Sequence, residues 1–378
     1  MKTINIILLI ILVPLASCIS QFTPEIVSQN RFLTVNGLIT DENRAYTIRL
    51  GISRPLDVAS EEEPAEGAHV FVTDDIGNTF PFVEKKAGYY ISDSTVFIAQ
   101  QGRSYRLHIN HSGIDYLSSP SMLRKAPQID SVGYEIIERE INATGETEKA
   151  VRVMLNTFDA TSENHFYRWT YDETWEIHLP FNNVPIEKKV CWKHEESQNI
   201  IIANTEALSE DRISDLTIAT FNNSTNRGQH RYSMNVHQYS TSREEYEFWN
   251  SVKTISENTG DLYDVTPVTV KGNINCLTNP GEVVLGFFSV SGVSHKRIFM
   301  TRPLIVHDVY NPLCIEETID VNYRLPGLGT YIFILNIIDT DGAPPPEHWD
   351  ITSNIACTDC SYFASNVKPD YWDEGFKD

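Results

Sequence analysis

Hydrophobic and polar residues alternate with a period of two along the first third of the chain. Between Arg31 and about Ser119, turn-forming residues such as Asp41-Glu42-Asn43 separate short alternating segments. A helix would need a period near 3.6, which this region lacks. The pattern predicts about seven strands in a β-sandwich of immunoglobulin-like or transthyretin-like type. The apolar faces are Leu33, Val35, Gly37 and Ile39; Tyr46, Ile48, Leu50 and Ile52; Val70 and Val72; and Tyr105, Leu107 and Ile109.

A second region of alternation follows the proline-containing stretch from Ser118 to Pro127, which is typical of a domain boundary. We therefore predict a β-sandwich domain over residues 31–122 and a larger antiparallel β domain over residues 123–378. Its predicted strands cover residues 129–141, 151–158, 165–177, 282–290, 297–300 and 330–338, with Tyr167, Trp169 and Tyr171 sharing one face and Tyr232, Met234 and Val236 forming another.

One segment departs from this period and predicts a helix near residues 242–257. Ser242-Arg243-Glu244-Glu245 fits a capping box, in which the serine side chain accepts from the Glu245 amide and the glutamate returns to the serine amide. Tyr246, Trp249 and Val252 then form an apolar stripe, which we interpret as core packing on a sheet, with a ligand platform as the alternative. Asn258-Thr259-Gly260 ends the helix. The predicted fold class is mainly all-β with one packed α-helix.

The first residues fit a lipoprotein leader. Lys2 precedes an apolar run from Ile6 to Val13, which is too short to span a bilayer, and Leu15-Ala16-Ser17-Cys18 resembles a bacterial lipobox. We expect a signal peptide over residues 1–17, lipidation of Cys18, and a polar tether over residues 18–30. An ordinary secretory signal with a coincidental cysteine is the alternative.

The chain is acidic, with a formal charge of −21. Because residues 1–17 contain one basic residue, Lys2, and no acidic one, cleavage would change this charge to −22. Such a charge disfavours nucleic acid and anionic headgroups as partners. Solubility explains the acidity, and a dedicated cationic partner is the other interpretation.

Beyond Cys18 the cysteines are odd in number, so at least one thiol stays free if the others pair. A secreted compartment favours structural disulfides. Cys357-Thr358-Asp359-Cys360 invites a zinc or redox interpretation, yet it lacks further ligands at zinc spacing and the strand and helix of a thioredoxin-like motif. The disulfide candidates are Cys191, Cys276, Cys314, Cys357 and Cys360.

The sequence offers no catalytic constellation, and we predict no catalytic residues, no metal site and no cofactor. It lacks a G-x-S-x-G turn and an H-E-x-x-H motif. His108 and His111 fall on opposite faces of a strand and are interpreted as solvent-facing. Asp339-Thr340-Asp341-Gly342 is interpreted as a tight turn, with an incomplete calcium loop as the alternative.

Short motifs along the chain resemble the domain-of-unknown-function 4249 family of Bacteroidota outer-membrane lipoproteins. They are Leu33-Thr-Val-Asn-Gly-Leu-Ile-Thr-Asp41, Tyr232-Ser-Met-Asn-Val-His-Gln-Tyr239 leading into the Tyr246 to Trp249 helix, Gly272-Asn-Ile274, Gly286-Phe-Phe288, and Cys357-Thr-Asp-Cys360 with Asn366-Val-Lys-Pro-Asp-Tyr-Trp372. After the last cysteine pair, this chain has Tyr362-Phe-Ala364 where members often carry glycines.

The resemblance implies an outer-membrane lipoprotein, often encoded beside TonB-dependent receptors, and it implies no catalytic residues. We therefore expect a non-enzymatic protein, anchored in the outer membrane through its lipid, that is an accessory or ligand-presenting partner of a TonB-dependent β-barrel transporter. A structural cell-envelope protein, or a secreted glycan-binding or hydrolytic enzyme, are the alternatives. The sequence leaves open whether the body faces the periplasm or the cell surface.

Overall fold

The alternating segments pair as β-strands throughout the structure. A computed structural model describes residues 31–54, 62–140, 145–179, 181, 183–222, 226–258, 270–301, 317–320, 333–338, 348–352 and 354–376. The strands are β1 (Leu33–Ile39), β2 (Thr47–Ile52), β3 (Glu63–Pro64), β4 (His69–Asp74), β5 (Thr79–Lys86), β6 (Tyr89–Ser92), β7 (Ser104–His111), β8 (Ile114–Ser118), β9 (Ser121–Met122), β10 (Ile129–Glu140), β11 (Thr147–Phe158), β12 (Phe166–His178), β13 (Val190–Glu196), β14 (Ile201–Asn204), β15 (Arg212–Asn222), β16 (Tyr232–Ser240), β17 (Ile274–Cys276), β18 (Leu285–Val290), β19 (Gly292–Met300), β20 (Glu317–Asp320), β21 (Phe333–Ile338) and β22 (His348–Thr352).

Helical segments are few, and one of them is long. The helices are α1 (Ile186–Lys189), α2 (Arg243–Asn258) and α3 (Trp372–Gly375), with 3-10 turns at Ile355–Cys357 and Cys360–Tyr362. The prediction of a mainly β chain with one substantial packed helix is confirmed. In the described part of the chain, no helix combines the length and apolarity that a membrane span requires.

The first sheet has the strand order β17-β8-β7-β4-β5-β6-β2-β1-β18, with β3 beside β2 and β9 beside β7. Its neighbouring strands run antiparallel, except that β1 pairs with β18 in parallel. The alternating apolar residues predicted from the sequence point into a single core, where Ile48 and Leu107 are fully buried. Burying one such side chain contributes about 1.5–3 kcal/mol to stability.

This sheet curls until its two edge strands meet. Asn273, just before β17, donates its side-chain amide to the Phe288 carbonyl (2.8 Å) and accepts from the Phe288 amide (2.9 Å). The two backbone segments approach so closely that a Cβ on Gly272 would lie 1.6 Å from the Gly286 carbonyl oxygen. Closure leaves β17 and β18 covered rather than open to unwanted pairing.

The predicted division at residues 122 and 123 does not coincide with the edge of this sheet. β17 and β18 come from far beyond residue 122, and Ile274, Phe288 and Val290 are buried in the first core. The division rested on local signals, whereas the β1–β18 pairing joins residues about 250 positions apart in sequence. The first unit therefore contains residues 31–122 together with the returning segment from about residue 270 to Val290.

Two further sheets pack face to face and form the second core, and we call their strands, β10 to β16 with β19, the second unit. One has the order β10-β11-β15, and the other has β13-β12-β16-β19 with β14 beside β12. The predicted apolar faces of β12 and β16 point into this core, where Trp169 and Met234 are fully buried. A separate small sheet has the order β20-β22-β21.

Helix α2 lies between the first sheet and the second unit. Phe248 packs on Phe287 of β18, with ring centroids 5.0 Å apart, and Tyr246 packs on Phe166 of β12 at 5.3 Å. The predicted stripe of Tyr246, Trp249 and Val252 is only half-buried, because the deepest positions on the helix are Glu245 and Phe248.

The predicted capping box is half correct. The Glu245 amide donates to Ser242 Oγ (3.1 Å), as expected for an N-terminal cap. The Glu245 carboxylate, however, does not return to the serine amide. It turns inward and accepts from Ser289 Oγ (2.8 Å) and Ser291 Oγ (3.3 Å), because the first sheet offers these buried donors.

Candidate functional site

The outer face of the sheet containing β12 is polar at its centre. Its strands alternate, so the residues between the predicted apolar positions point away from the core. Strand register then places Asp172 beside Asn235 and Arg297, and Thr170 beside His237 and His295. Residues distant in sequence thus form a continuous charged surface.

A cleft of about 530 Å³ opens between this face and the turn that follows β1. We call it the histidine cleft. It is lined by Glu42, Arg44, Thr170, Tyr171, Asp172, His194, Glu196, Ser197, His237 and Tyr239.

A chain of hydrogen bonds runs along one wall of the histidine cleft. Asp172 Oδ2 contacts His237 Nε2 (2.8 Å), His237 Nδ1 faces His295 Nδ1 (2.8 Å), and His295 Nε2 contacts Glu42 Oε1 (3.0 Å). Arg44 Nε pairs with Glu42 at 3.1 Å, and Arg297 Nη2 donates to Asp172 at 3.1 Å. Two imidazoles therefore lie in series between two carboxylates, each of which also has an arginine partner.

An ionised carboxylate only accepts hydrogen bonds, so in the contacts with Asp172 and Glu42 the imidazoles donate from Nε2. A hydrogen bond between the two Nδ1 atoms requires a proton on one of them.

The neighbours of both carboxylates favour the ionised form. The hydrogen bond from His295 is the largest influence on Glu42, and although burial opposes it, Thr40 and Arg44 help to lower the pKa to about 2. Burial raises the pKa of Asp172, but the hydrogen bonds from His237 and Asn235 and the Arg297 charge outweigh burial and hold that pKa well below its usual range.

Glu42 reaches the histidine cleft because hydrogen bonds from Tyr46 and from the Val293 amide fix the position of its turn. The Tyr46 hydroxyl donates to the carbonyls of Thr40 (2.6 Å) and Glu42. Asp41 Oδ1 accepts from the amide of Val293 at the start of β19 (3.0 Å). The residues predicted only as a turn thus connect the first sheet to the second unit.

Aromatic and charged groups border the two ends of the polar face. At one end, Arg168 lies over the rings of Tyr239 and Trp249, with its Cζ 4.9 Å from each centroid. At the other end, the Tyr371 hydroxyl is 2.9 Å from Thr174 Oγ1, and Arg297 lies over the Tyr371 ring at 4.1 Å. The C-terminal segment thus covers part of the face.

The histidine cleft is equipped for binding through charges and hydrogen bonds. The carboxylates and the partner imidazole occupy all four ring nitrogens of His237 and His295, which leaves neither ring poised to activate a hydroxyl group. Thr174 Oγ1 does contact His194 Nδ1 (3.1 Å), but Thr174 is buried and out of a substrate's reach. Within the described ranges, no three His, Cys, Asp or Glu side chains converge to hold a metal ion.

Among the described residues, the predicted cysteines lie away from this cleft. Cys191 of β13 and Cys360 form a disulfide, which ties the C-terminal segment to the second unit. Cys357 is also disulfide-bonded, whereas Cys276 of β17 is a buried free thiol. Cys18 and Cys314 lie outside the described residues.

Of the two weaker candidate sites considered from the sequence, the structure describes one. His108 and His111 both lie on β7, and His108 Nε2 contacts Thr73 Oγ1 (2.9 Å) while its ring stacks on Phe71. His108 is thus partly packed rather than simply solvent-facing. Asp339-Thr340-Asp341-Gly342 lies outside the described residues.

Sequence reasoning missed the histidine cleft. The sequence did contain a signal at the outward-facing positions of the alternating strands. Asp172, His237, His295 and Arg297 occupy such positions, although serine or threonine would be sufficient on a solvated face. That signal does not reveal which side chains meet, because the meeting depends on register across β12, β16 and β19.

Comparison with known families places the chain. A family model described as Domain of unknown function (DUF4249) matches residues 19–297. The chain belongs to this family. The match includes the residues that build the histidine cleft, whereas Cys357, Cys360 and Trp372 lie beyond it. No curated protein matches the chain.

The family motifs that mark the first unit meet in space. Gly272-Asn-Ile274 leads into β17, Gly286-Phe-Phe288 lies in β18, and the Leu33 motif forms β1. A Cβ on Gly286, whose φ is +90°, would lie 2.0 Å from the Val35 carbonyl oxygen. These glycines permit the close backbone approach that closes the first sheet.

Proposed function

We propose that this protein is a non-enzymatic outer-membrane lipoprotein, tethered through Cys18, that acts as an accessory or ligand-presenting partner of a TonB-dependent transporter. The observation that carries the proposal is Leu15-Ala16-Ser17-Cys18 directly after the apolar run of the leader. A lipid on Cys18 would hold a large folded β body at the membrane through the polar segment up to residue 30.

The histidine cleft supports a binding role. Its charged groups are held in place before any ligand arrives, by hydrogen bonds from Tyr46, Asn235 and Arg297. A preorganised set of polar groups loses little freedom on binding, which favours recognition of a polar ligand. Tyr239 adds aromatic surface to the same cleft.

The lipid anchor is tested with Cys18→Ala, and Cys276→Ala is the matched control because its thiol lies in the folded body. Cells are grown with labelled palmitate and then fractionated. We expect label and outer-membrane location for the wild type and Cys276→Ala, and neither for Cys18→Ala. Retention of label on Cys18→Ala would refute the lipidation site.

The accessory role is tested separately by crosslinking the lipidated protein in its native outer membrane, followed by gentle solubilisation and pull-down. A TonB-dependent barrel should copurify with the wild type and be reduced with Cys18→Ala. Recovery of the anchored protein without any barrel, under effective crosslinking, would contradict the accessory role while leaving the anchor intact.

A further inference from the structure

The two free edges of the sheet β10-β11-β15 differ in how they are protected. β15 pairs with β11, and the register of this pair shifts at Val153/Met154 and at Leu155/Thr157. Asp215 of β15 has a left-handed φ of 52°. Such bulges twist an edge away from regular pairing. β10 pairs with β11 in unbroken register from Ser131 to Glu140 and contains no proline or lysine. From Ser131 onward, β10 therefore lacks the bulges, prolines and lysines that block many edges.

The outer edge of β10 is free along most of its length. Lys296 Nζ covers its beginning by donating to the Ile129 and Asp130 carbonyls (3.3 and 2.6 Å). Beyond that point, among the residues that the structure describes, no neighbour hydrogen-bonds to the backbone of Gly133–Glu140 from the side away from β11. Alternate residues of an edge strand direct their N–H and C=O groups outward, so these groups can pair with another strand.

One face of this edge carries apolar and then acidic side chains. Tyr134 and Ile136 are 43% and 51% exposed, although they stand opposite Val153 and Val151 of the core. Glu138 and Glu140 follow at the same spacing and are exposed. Since side chains of period two share a face, a strand added here would meet two apolar positions followed by two carboxylates.

The charged side chains on the opposite face of β10 already have ion-pair partners on β11. Glu135 pairs with Arg152 of β11 (2.5 Å), and Arg139 pairs with Glu148 (2.5 Å). Its ionic groups are therefore matched within the hairpin. Glu138 and Glu140, in contrast, have no ion pair within the described part of the chain.

We propose that the edge of β10 from Gly133 to Glu140, here called the β10 edge, binds an extended strand of a partner protein whose alternate residues are apolar and then basic. Main-chain hydrogen bonds would supply affinity, and the alternate side chains would supply specificity. The proposal rests on the proposed function for the existence of a partner, and it specifies how that partner is held.

Charge argues against a second copy of the chain as the occupant. Two β10 strands in parallel would place Glu138 and Glu140 beside identical carboxylates, and like charges directly opposite are destabilising. An antiparallel pair centred on the edge would set these carboxylates against Tyr134 and Ile136. A basic strand avoids both arrangements.

The test uses the purified full-length lipidated chain in detergent and labelled peptides of the pattern Val-Thr-Val-Thr-Lys-Thr-Lys and its reverse, which cover both strand directions. Binding is measured by fluorescence anisotropy, and protection of β10 amides by hydrogen exchange. We expect one direction to bind and protect β10. Peptides with glutamate for lysine, or with N-methyl groups on the backbone edge that faces β10, should bind about tenfold more weakly or worse.

The site is located with a double variant, Tyr134→Thr with Ile136→Thr, because threonine retains strand propensity. Val96→Thr is the matched control, since Val96 is also an exposed apolar residue at 61% but lies in the first unit. Both proteins are first checked for wild-type urea unfolding. The double variant should lose binding by about tenfold while the control retains it.

Equal binding by the N-methylated peptide, or by the double variant, would overturn the proposal. So would concentration-dependent self-association of the wild type that the double variant abolishes, because the occupant would then be a second copy. These readouts require no transporter. A failed pull-down with intact peptide binding would contradict the proposed function, whereas the reverse result would contradict only the β10 edge.

Discussion

Glu42 illustrates how a single turn residue acquires a structural role through its neighbours. Its carboxylate contacts His295 of β19, while the Tyr46 hydroxyl donates a hydrogen bond to the backbone carbonyl of Glu42 in the same turn. The hydrogen bond from His295 is the largest contribution to lowering the Glu42 pKa from 4.5 to about 2. The carboxylate therefore prefers its charged form in the folded protein more strongly than in the unfolded chain.

This preference predicts a pH-dependent effect of Glu42→Gln. A carboxylate with a depressed folded pKa stabilises the protein above its unfolded pKa, and that stabilisation is lost as pH falls through the folded pKa. We expect Glu42→Gln to lower the free energy of unfolding by about 1 kcal/mol near neutral pH, a figure reduced because about a third of the side chain is exposed. The difference from wild type should shrink between about pH 4.5 and about pH 2. Urea unfolding across this range measures it.

Glu66→Gln is the control for this measurement, because Glu66 is an exposed carboxylate of the same unit. It should change the free energy of unfolding little at any pH. A Glu42→Gln effect that stayed constant down to about pH 2 would show that the lost interaction does not depend on the charge of Glu42.

Some residue positions could be predicted from the sequence, and others could not. The inward positions Trp169 and Met234 follow from alternation alone, because burial of an apolar face repeats with the strand period. The contact between His237 and His295 does not, since it requires the register of β16 on β19. Local pattern therefore predicts which side of a strand is buried, but not which polar side chains gather on the other.

Helix α2 shows the same division at the scale of an element. Ser242 predicts its start, and the apolar residues that follow predict that it packs on a sheet, but not that Phe248 is the most deeply buried of them. The fate of the Glu245 side chain depends on tertiary contacts, because Ser289 and Ser291 offer hydrogen bonds that outweigh the local return to the serine amide. Glu245 also lies 3.6 Å from Arg168 Nε of β12, so one buried carboxylate joins the helix to both units.

Removing this carboxylate should loosen the attachment of α2. We expect Glu245→Ala to lower the free energy of unfolding by about 3 kcal/mol or more, because Arg168 and the two serines would lose a buried partner. Glu245→Gln should cost less, since an amide oxygen can still accept from a serine hydroxyl. Urea unfolding followed by tryptophan fluorescence measures both, and Trp249 on the helix reports directly.

Glu244→Ala is the matched control, because the adjacent Glu244 occupies the same helical turn but is exposed. Its effect should stay within about 0.5 kcal/mol. Similar losses for Glu244→Ala and Glu245→Ala would mean that helix propensity, rather than the buried network, dominates at this turn.

At the scale of the whole molecule, the chain leaves the first sheet after β9, builds the second unit, and returns to the first sheet through β17 and β18. β18 then continues into β19 through Ser291, so the strand that completes the first core is directly joined to the strand that carries His295. The histidine cleft takes Glu42 and Arg44 from one unit and its other lining residues from the other. Completion of the first sheet and assembly of the cleft are therefore linked.

This linkage predicts that residues 31–122 do not fold alone. Without the returning segment, the core loses Ile274, Phe288 and Val290, and β1 and β8 become open edges. We expect this fragment to show no cooperative urea transition by circular dichroism. The same fragment, joined by a flexible linker to residues 270–291, should unfold cooperatively, because Asn273 can again bridge to Phe288 and close the sheet. The unlinked fragment could instead unfold cooperatively at the same urea concentration as the linked one. In that case β17 and β18 would not be needed for folding of residues 31–122, and the division at residue 122 would be a true folding boundary.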